Sequence, residues 1–157
     1  MVALLKEAFD KLSSDISVEW ISIFEFSNER SVGITKDGYW YINISDGIIK
    51  LRDNRDFMYA EAILEQSLET VQRIINSVIN ELMLNIEAFD FFPFLDIARF
   101  PLEHTKSNYW IGLSLNWISK MPTERAALLR SQLLIISTDK SLSQNIRQRA
   151  LEVIKNI

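Results

Sequence analysis

The chain has 157 residues, of which 48% are apolar and 24% are charged, and it contains no cysteine. This composition is typical of one folded globular domain, and it excludes a disulfide framework, a thiolate metal site and a thiol nucleophile. Residues 1–103 carry 18 acidic and 9 basic side chains, whereas residues 104–157 carry 3 acidic and 8 basic ones. We expect the basic C-terminal third to dock on the acidic part of the same fold, in preference to phosphates.

The N-terminus predicts an amphipathic helix over residues 3–12, because its apolar side chains recur at helical spacing. These side chains are Leu4, Leu5, Ala8, Phe9 and Leu12. Charges begin as early as Lys6 and Glu7, which leaves no apolar core for a signal peptide. No apolar run approaches the roughly 20 residues that a membrane span requires, so we expect a cytoplasmic protein that binds no membrane.

A β-meander is predicted over residues 16–51, where the apolar pattern changes to a period of two. The alternating positions, which we expect to fill one core face, are Ile16, Val18, Trp20, Phe24 and Phe26. Two Asp-Gly pairs, at residues 37–38 and 46–47, supply the positive φ that tight hairpin turns need. The expected product is three or four antiparallel strands.

One long central helix is predicted from about residue 57 to 84, with Asp56 as its N-cap. Its apolar seam follows a 4-3-4-3-4 spacing and consists of Leu64, Leu68, Val71, Ile75, Val78 and Leu82. Glu61, Glu65 and Glu69 recur every four residues and would therefore share one face of this helix. We interpret that face as solvated and acidic rather than as a divalent-cation site, since metal carboxylates usually converge from several elements.

The remaining chain predicts further helices. Residues 85–106 hold five phenylalanines and should form short helical turns that Pro93 and Pro101 interrupt. A helix apolar on two sides should follow from a cap at Ser107 or Asn108 to Met121, with Gly112 permitting a close helix crossing.

A second C-terminal helix should begin at Pro122, and a third at a capping box of Ser141 and Gln144. The predicted fold class is therefore α+β: an N-terminal helix, a small antiparallel β-meander and a mostly α-helical remainder with a long central helix. We expect a single domain over residues 1–157, in which the helix and meander of residues 1–56 and the helical residues 57–157 are not independent.

The candidate catalytic residues of the sequence are better explained by structural roles. His104 is the only histidine, with Asp96 and Glu103 as its nearest acids, and no G-x-S-x-G context accompanies it. Asp90 and Asp96 are candidates for the two carboxylates of a glycosidase, but nothing else in the sequence supports that role, and capping and turn roles are favoured. The four glycines are scattered and form no phosphate-binding loop. We expect no catalytic residue, no metal and no cofactor.

Nucleic acid is not an expected partner. The basic side chains of the C-terminal third lie on polar helix faces without interleaved exposed aromatic residues. These side chains are Arg125, Arg130, Arg147, Arg149 and Lys155.

Aromatic residues on a strand give the best functional signal. Tyr39, Trp40 and Tyr41 are consecutive, so Trp40 and the two tyrosines point to opposite faces. Two alternatives follow: one of the two sets is exposed as an anchor for a partner, or a helix covers that face.

The C-terminal third resembles small bacterial immunity proteins, including those paired with contact-dependent growth-inhibition toxins. The resemblance lies in SNYWIGLSLNWISKMP at residues 107–122 and SLSQNIRQRALEVI at residues 141–154. This chain has Ser114 and Gln148 where the pattern has alanine and a basic residue or histidine. The resemblance implies a cytoplasmic antidote that binds one cognate toxin domain and occludes its active site.

Such a toxin is often a basic nuclease, to which an acidic surface would be attracted. We therefore expect the partner to contact the acidic part of the chain, with the tyrosines as anchors. The expected contact residues are Tyr39, Tyr41, Asp53, Asp56, Glu61, Glu65 and Glu69. The alternative is a small cytoplasmic adaptor or a homodimeric structural module whose seam helix forms the dimer.

Overall fold

The structure is a computed structural model, and it describes residues 1–12, 20–27, 30–45 and 47–157, with the backbone alone at residues 8 and 10–12. Helix α1 (Val2–Leu12) opens the chain and inserts Leu5 and Phe9 into the core, as its apolar stripe predicts. The predicted strand positions Ile16 and Val18, and Asp46 of the second turn, lie outside the described residues.

Four antiparallel strands follow in the order in which they occur in the chain, which confirms the predicted meander. They are β1 (Trp20–Phe26), β2 (Arg30–Thr35), β3 (Trp40–Ile44) and β4 (Gly47–Lys50). Gly38 has a φ of 83° in the turn between β2 and β3, where glycine avoids the clash of a Cβ.

A β-bulge corrects the prediction for the first strand. Ser22 pairs with Gly33 and Phe24 with Val32, so that Ile23 is the extra residue. The extra residue changes the phase of the alternation, and Phe24 faces the core beside Val32 while the Trp20 ring lies over Gly33 on the opposite face. The expectation that Trp20 shares a face with Phe24 and Phe26 is therefore wrong.

The predicted single helix over residues 57–84 is also wrong. The structure has two 3₁₀ helices, Asn54–Tyr59 and Glu61–Glu65, and then helix α2 (Leu68–Glu81). The chain is extended at Gln66, whose carbonyl accepts a hydrogen bond from the Trp117 indole N–H at 2.8 Å. A tertiary contact has therefore overridden the helical periodicity, and Ser67 rather than Asp56 caps α2.

The phenylalanine-rich segment joins the sheet to the helices. It contains α3 (Ala88–Phe91) and α4 (Phe94–His104), and α4 continues through Pro101, which was expected to interrupt it. Trp40 of β3 packs edge-on against the rings of Phe91 and Phe92 at 5.4 and 5.1 Å between centroids. These aromatic contacts bury the phenylalanine-rich segment between the sheet and the helices.

The C-terminal helices are α5 (Asn108–Ile118), α6 (Thr123–Ala126), α7 (Arg130–Thr138) and α8 (Gln144–Asn156), with a 3₁₀ turn between α6 and α7. Ser107 caps α5 as predicted, but the helix ends at Ile118 rather than Met121. The cap of α8 is Ser143 and not Ser141.

The predicted close approach at Gly112 is confirmed. A Cβ on Gly112 would lie 3.3 Å from the Arg149 guanidinium and 3.4 Å from Ile146 of α8. The Arg149 side chain donates to the Gly112 carbonyl oxygen at 3.0 Å and to the Asn116 side chain at 2.7 Å.

Candidate partner-binding site

The structure decides which of the three consecutive aromatic residues is exposed. Trp40 is buried, Tyr41 is half-buried, and 51% of Tyr39 is exposed. The Lys50 ammonium lies 3.1 Å from the centroid of the Tyr39 ring, a cation–π contact that fixes this ring at the sheet surface. Tyr41 pairs with Gly33 and therefore shares the outer face of the sheet with Trp20.

Asp53 and Asp56 use their carboxylates to close the first 3₁₀ helix. Asp53 caps it and accepts a hydrogen bond from the Arg55 backbone N–H at 2.9 Å. Asp56 reaches back to the backbone N–H groups of Arg52 at 2.8 Å and Asp53 at 3.2 Å. This is a capping box, so both residues have a structural role here, and their negative charges remain beside the site.

Glu61, Glu65 and Glu69 do not share a helix face, contrary to prediction. Glu61 and Glu65 lie on a 3₁₀ helix, in which three residues complete a turn, and Glu69 belongs to α2 beyond a break. Glu69 pairs with Lys120 at 2.8 Å, and the hydrogen bond from Lys120 lowers the pKa of the Glu69 carboxyl.

Glu65 and Glu61 have different environments. Glu65 accepts a hydrogen bond from the Tyr109 hydroxyl at 2.9 Å. Glu61 is half-buried, and burial raises the pKa of its carboxyl, an effect that the nearby positive charge of Arg30 partly opposes. Among the residues that the structure describes, Glu61 has neither an ion pair nor a side-chain hydrogen bond.

Glu61 lines an open groove of about 580 Å³, which we name the Trp110 groove. Both 3₁₀ helices, the C-terminal end of α4 and the N-terminal end of α5 form its walls. Its lining includes Arg55, Met58, Glu61, Phe100, His104 and Trp110. The sequence places these residues far apart, and only the packing of α4 and α5 on the 3₁₀ helices brings them together.

The apolar rim of this groove was not predicted. Met58 is 51% exposed and Tyr109 is 56% exposed, and the Tyr109 ring stands edge-on to Trp110 at 4.9 Å between centroids. Trp110, which was not among the predicted contact residues, is half-buried in the first turn of α5. The signal available in the sequence was the adjacent pair Tyr109 and Trp110, two and three positions after the Ser107 cap.

His104 belongs to a polar network at the end of α4. Its Nε2 atom lies 3.1 Å from the side-chain amide of Asn54, which also contacts the Glu103 carboxylate. Gln132 donates a second hydrogen bond to Glu103 at 2.7 Å. The network ties the first 3₁₀ helix and α7 to the end of α4, and Glu103 rather than Asp96 is the acid near His104.

Asp90 and Asp96 line one cleft of about 320 Å³ beside the turn between β2 and β3 that contains Gly38. Each forms an ion pair, Asp90 with Arg125 and Asp96 with Arg99 at 3.3 Å. Burial is the main cause that raises the pKa of Asp96. Because each carboxylate forms an ion pair with an arginine, a structural role accounts for both residues.

The basic third of the chain docks on the acidic part, as its charge predicted. Lys120 pairs with Glu69, and Arg125 pairs with Asp90. Arg130 donates to the backbone carbonyls of Ile154 and Ile157 at 3.3 and 3.2 Å. Several basic side chains that might have contacted phosphates are thus engaged within the fold.

Within the described ranges, no three His, Asp or Glu side chains converge in a way that would hold a metal ion. None of the helices in the same part of the chain combines the length and apolarity needed to cross a bilayer. Comparisons of the chain with protein families, with curated proteins and with solved structures find no match.

Proposed function

We propose that this chain is an immunity protein, which binds a cognate protein toxin in the cytoplasm and occludes the toxin's active site. The observation that carries the proposal is the Trp110 groove, where exposed apolar side chains lie beside carboxylates. Tryptophan, tyrosine and methionine are enriched at protein interfaces, and truncation of buried tryptophan or tyrosine anchors costs the most binding energy. The resemblance of residues 107–122 and 141–154 to immunity proteins supports the same function.

The groove suits a basic toxin surface, such as that of a nuclease. Glu61 lies in its wall, Glu65 accepts a hydrogen bond from Tyr109 next to Trp110, and the carboxylates of Asp53 and Asp56 add negative charge at the adjoining 3₁₀ helix. A field of this sign accelerates association with a basic partner and selects against acidic ones. Glu69 is neutralised by Lys120, so we assign it a smaller role than the sequence suggested.

The test uses the reading frame directly upstream of the gene for this chain. Its C-terminal domain is expressed from an inducible promoter in a bacterial host, with and without this chain. We expect the domain to arrest growth, the chain to restore growth, and the two purified proteins to form a complex by size exclusion with light scattering. An upstream frame without a toxic domain, or a toxic domain that the chain neither binds nor neutralises, would contradict the proposal.

A matched pair of variants locates the surface. Met58→Ala combined with Trp110→Ala removes two side chains of the groove, and Tyr39→Ala removes an exposed aromatic ring on the sheet. We expect the double variant to lose protection and Tyr39→Ala to keep most of it. Thermal unfolding followed by circular dichroism checks that each variant is folded, and the reverse pattern would move the binding surface to the sheet.

A homodimeric module is the second candidate. Its predicted seam cannot form the dimer, because Leu64, Leu68, Val71 and Ile75 are buried in the core of the same chain. The C-terminal helical region instead exposes Leu128, Leu134, Ile135 and Leu151. Light scattering of the purified chain tests this candidate: a dimer that Ile135→Asp dissociates would support it, and a monomer would exclude it.

A further inference from the structure

We infer that the Trp110 groove is a receptor for an arginine side chain, whose guanidinium stacks on the Trp110 indole and pairs with the Glu61 carboxylate. The inference deepens the proposed function by naming the chemistry of the partner, and it rests on that function only for the partner's identity. Three properties of the groove carry it: a carboxylate without a hydrogen-bonded partner among the described residues, an aromatic platform and apolar walls.

Glu61 supplies a carboxylate that has no hydrogen-bonded partner in the part of the chain that the structure describes. Neighbouring acids are engaged, since Glu65 accepts from Tyr109, Glu103 accepts from Asn54 and Gln132, and Asp56 accepts from backbone N–H groups. A half-buried carboxylate without a hydrogen-bonded partner has lost part of its hydration without compensation. The raised pKa of Glu61 reflects this loss, and a cation bound in the groove would restore the missing interaction.

Trp110 supplies the platform. The Tyr109 ring packs against Trp110 at 4.9 Å between centroids, with the two ring planes at 73°, and the Tyr109 hydroxyl donates a hydrogen bond to Glu65. Tryptophan gives the strongest cation–π attraction of the aromatic residues, and arginine uses it more often than lysine does. Because Trp110 is held by its neighbours, little side-chain entropy is lost when a guanidinium stacks on it.

The walls favour arginine over a compact cation. Met58 and Phe100 offer apolar surface to the methylene stem of a long side chain. A guanidinium is planar and weakly hydrated, so it enters a half-buried groove at a smaller desolvation cost than an ammonium ion. The volume of about 580 Å³ also leaves room for the backbone on either side of the arginine.

Arg55 is the group in the lining that opposes a cation. It forms no ion pair with Glu61 in the part of the chain that the structure describes, and the positive charge that acts on the Glu61 carboxyl is that of Arg30. The carboxylate therefore stays available to a cation from outside. An acidic ligand paired with Arg55 is the competing outcome, and the experiment includes a probe for it.

The experiment follows the indole N–H resonance of Trp110 in the isolated chain, assigned by its loss in Trp110→Phe. The probe is N-acetyl-arginine amide, at constant ionic strength. Its matched control is N-acetyl-citrulline amide, which has nearly the same shape and no charge. We expect a saturable shift with the arginine probe at a Kd on the order of 10 mM, as for a single side chain, and binding about tenfold weaker for the citrulline probe.

Variants assign the effect to Glu61. Glu61→Gln should reduce the affinity for the arginine probe to that for the citrulline probe, whereas Glu152→Gln, an exposed acid on α8, should leave it unchanged. Equal binding of the two probes, binding unaffected by Glu61→Gln, equal binding of N-acetyl-lysine amide, or tighter binding of N-acetyl-glutamate amide would each overturn the inference. Because the titration needs no toxin, its failure is distinct from a failure of the growth test.

Discussion

Met83 provides a stability prediction with a definite sign. It follows α2 and has a φ of 52°, a left-handed conformation that L-residues adopt at a cost. Its N–H bonds to the Asn80 carbonyl at 3.1 Å, and the Leu84 N–H bonds to the Ile79 carbonyl at 2.9 Å. These two hydrogen bonds form a Schellman motif, in which glycine is the preferred residue at the position that Met83 occupies.

Replacement of Met83 by glycine should therefore stabilise the fold. Glycine avoids the cost of the left-handed conformation to an L-residue, which is about 1–2 kcal/mol. Glycine also raises the conformational entropy of the unfolded chain, which lowers the stability of the fold by about 0.4–1 kcal/mol. The Met83 side chain is 78% exposed, so its loss removes little buried surface. The expected net gain is about 0.5–1 kcal/mol, or roughly 1–4 °C in Tm for a chain of this size.

Urea denaturation of the wild type, Met83→Gly and Met83→Ala measures the effect. Alanine keeps the Cβ that makes the conformation costly, so Met83→Ala should have nearly the stability of the wild type. The gain should appear as a higher midpoint with an unchanged m-value. If Met83→Gly is no more stable than Met83→Ala, then the helix end is not held in the left-handed conformation and the reasoning fails.

Three further substitutions test other parts of the fold. Gly33→Ala would place a Cβ 2.1 Å from the Trp20 ring, and we expect a loss of about 1–3 kcal/mol by chemical denaturation; a neutral effect would show that this ring does not cover Gly33. Glu61→Gln should stabilise the chain at neutral pH. The pKa of Glu61 is raised above 4.5 in the folded state, so the carboxyl favours folding at low pH, and this contribution is lost as pH rises through the folded pKa. Tm measured from pH 3 to 8 should show a gain for Glu61→Gln over the wild type only at the upper end. A gain independent of pH would contradict the burial of this carboxyl. Ser67→Ala should cost about 1 kcal/mol in thermal unfolding, because it removes the cap that accepts from the Thr70 N–H; no loss would indicate that α2 begins elsewhere.

Local signals predicted much of the fold. The Asp-Gly pairs and the period of two indicated the meander, and the positions of Ser107 and Gly112 indicated a capped helix that crosses its neighbour closely. These features depend on a few consecutive residues, whose backbone preferences and spacing are fixed by the chain itself. The four-stranded sheet and the capped start of α5 therefore follow from short-range rules, whereas the two 3₁₀ helices before α2 do not.

Short-range rules predicted less of the candidate site than of the fold. Glu61 and Glu65 were predicted as contact residues from charge and spacing, but their helical face does not exist. The break in the predicted helix depends on the hydrogen bond from Trp117 to the Gln66 carbonyl, made by residues 51 positions apart. Met58 and Tyr109 were missed, because exposure depends on which neighbours a helix end acquires.

The sequence by itself determined the α+β class, the antiparallel meander and the opposed charges of the two parts of the chain. Backbone preferences, apolar periodicity and residue counts are properties of the chain that need no partner element. Tertiary structure alone decided that Trp40 is buried and Tyr39 exposed, and that Glu61 and Trp110 meet in one groove. The burial of Trp40 and the position of Glu61 beside Trp110 depend on which helix packs on each face. That packing is determined by contacts between residues far apart in the chain.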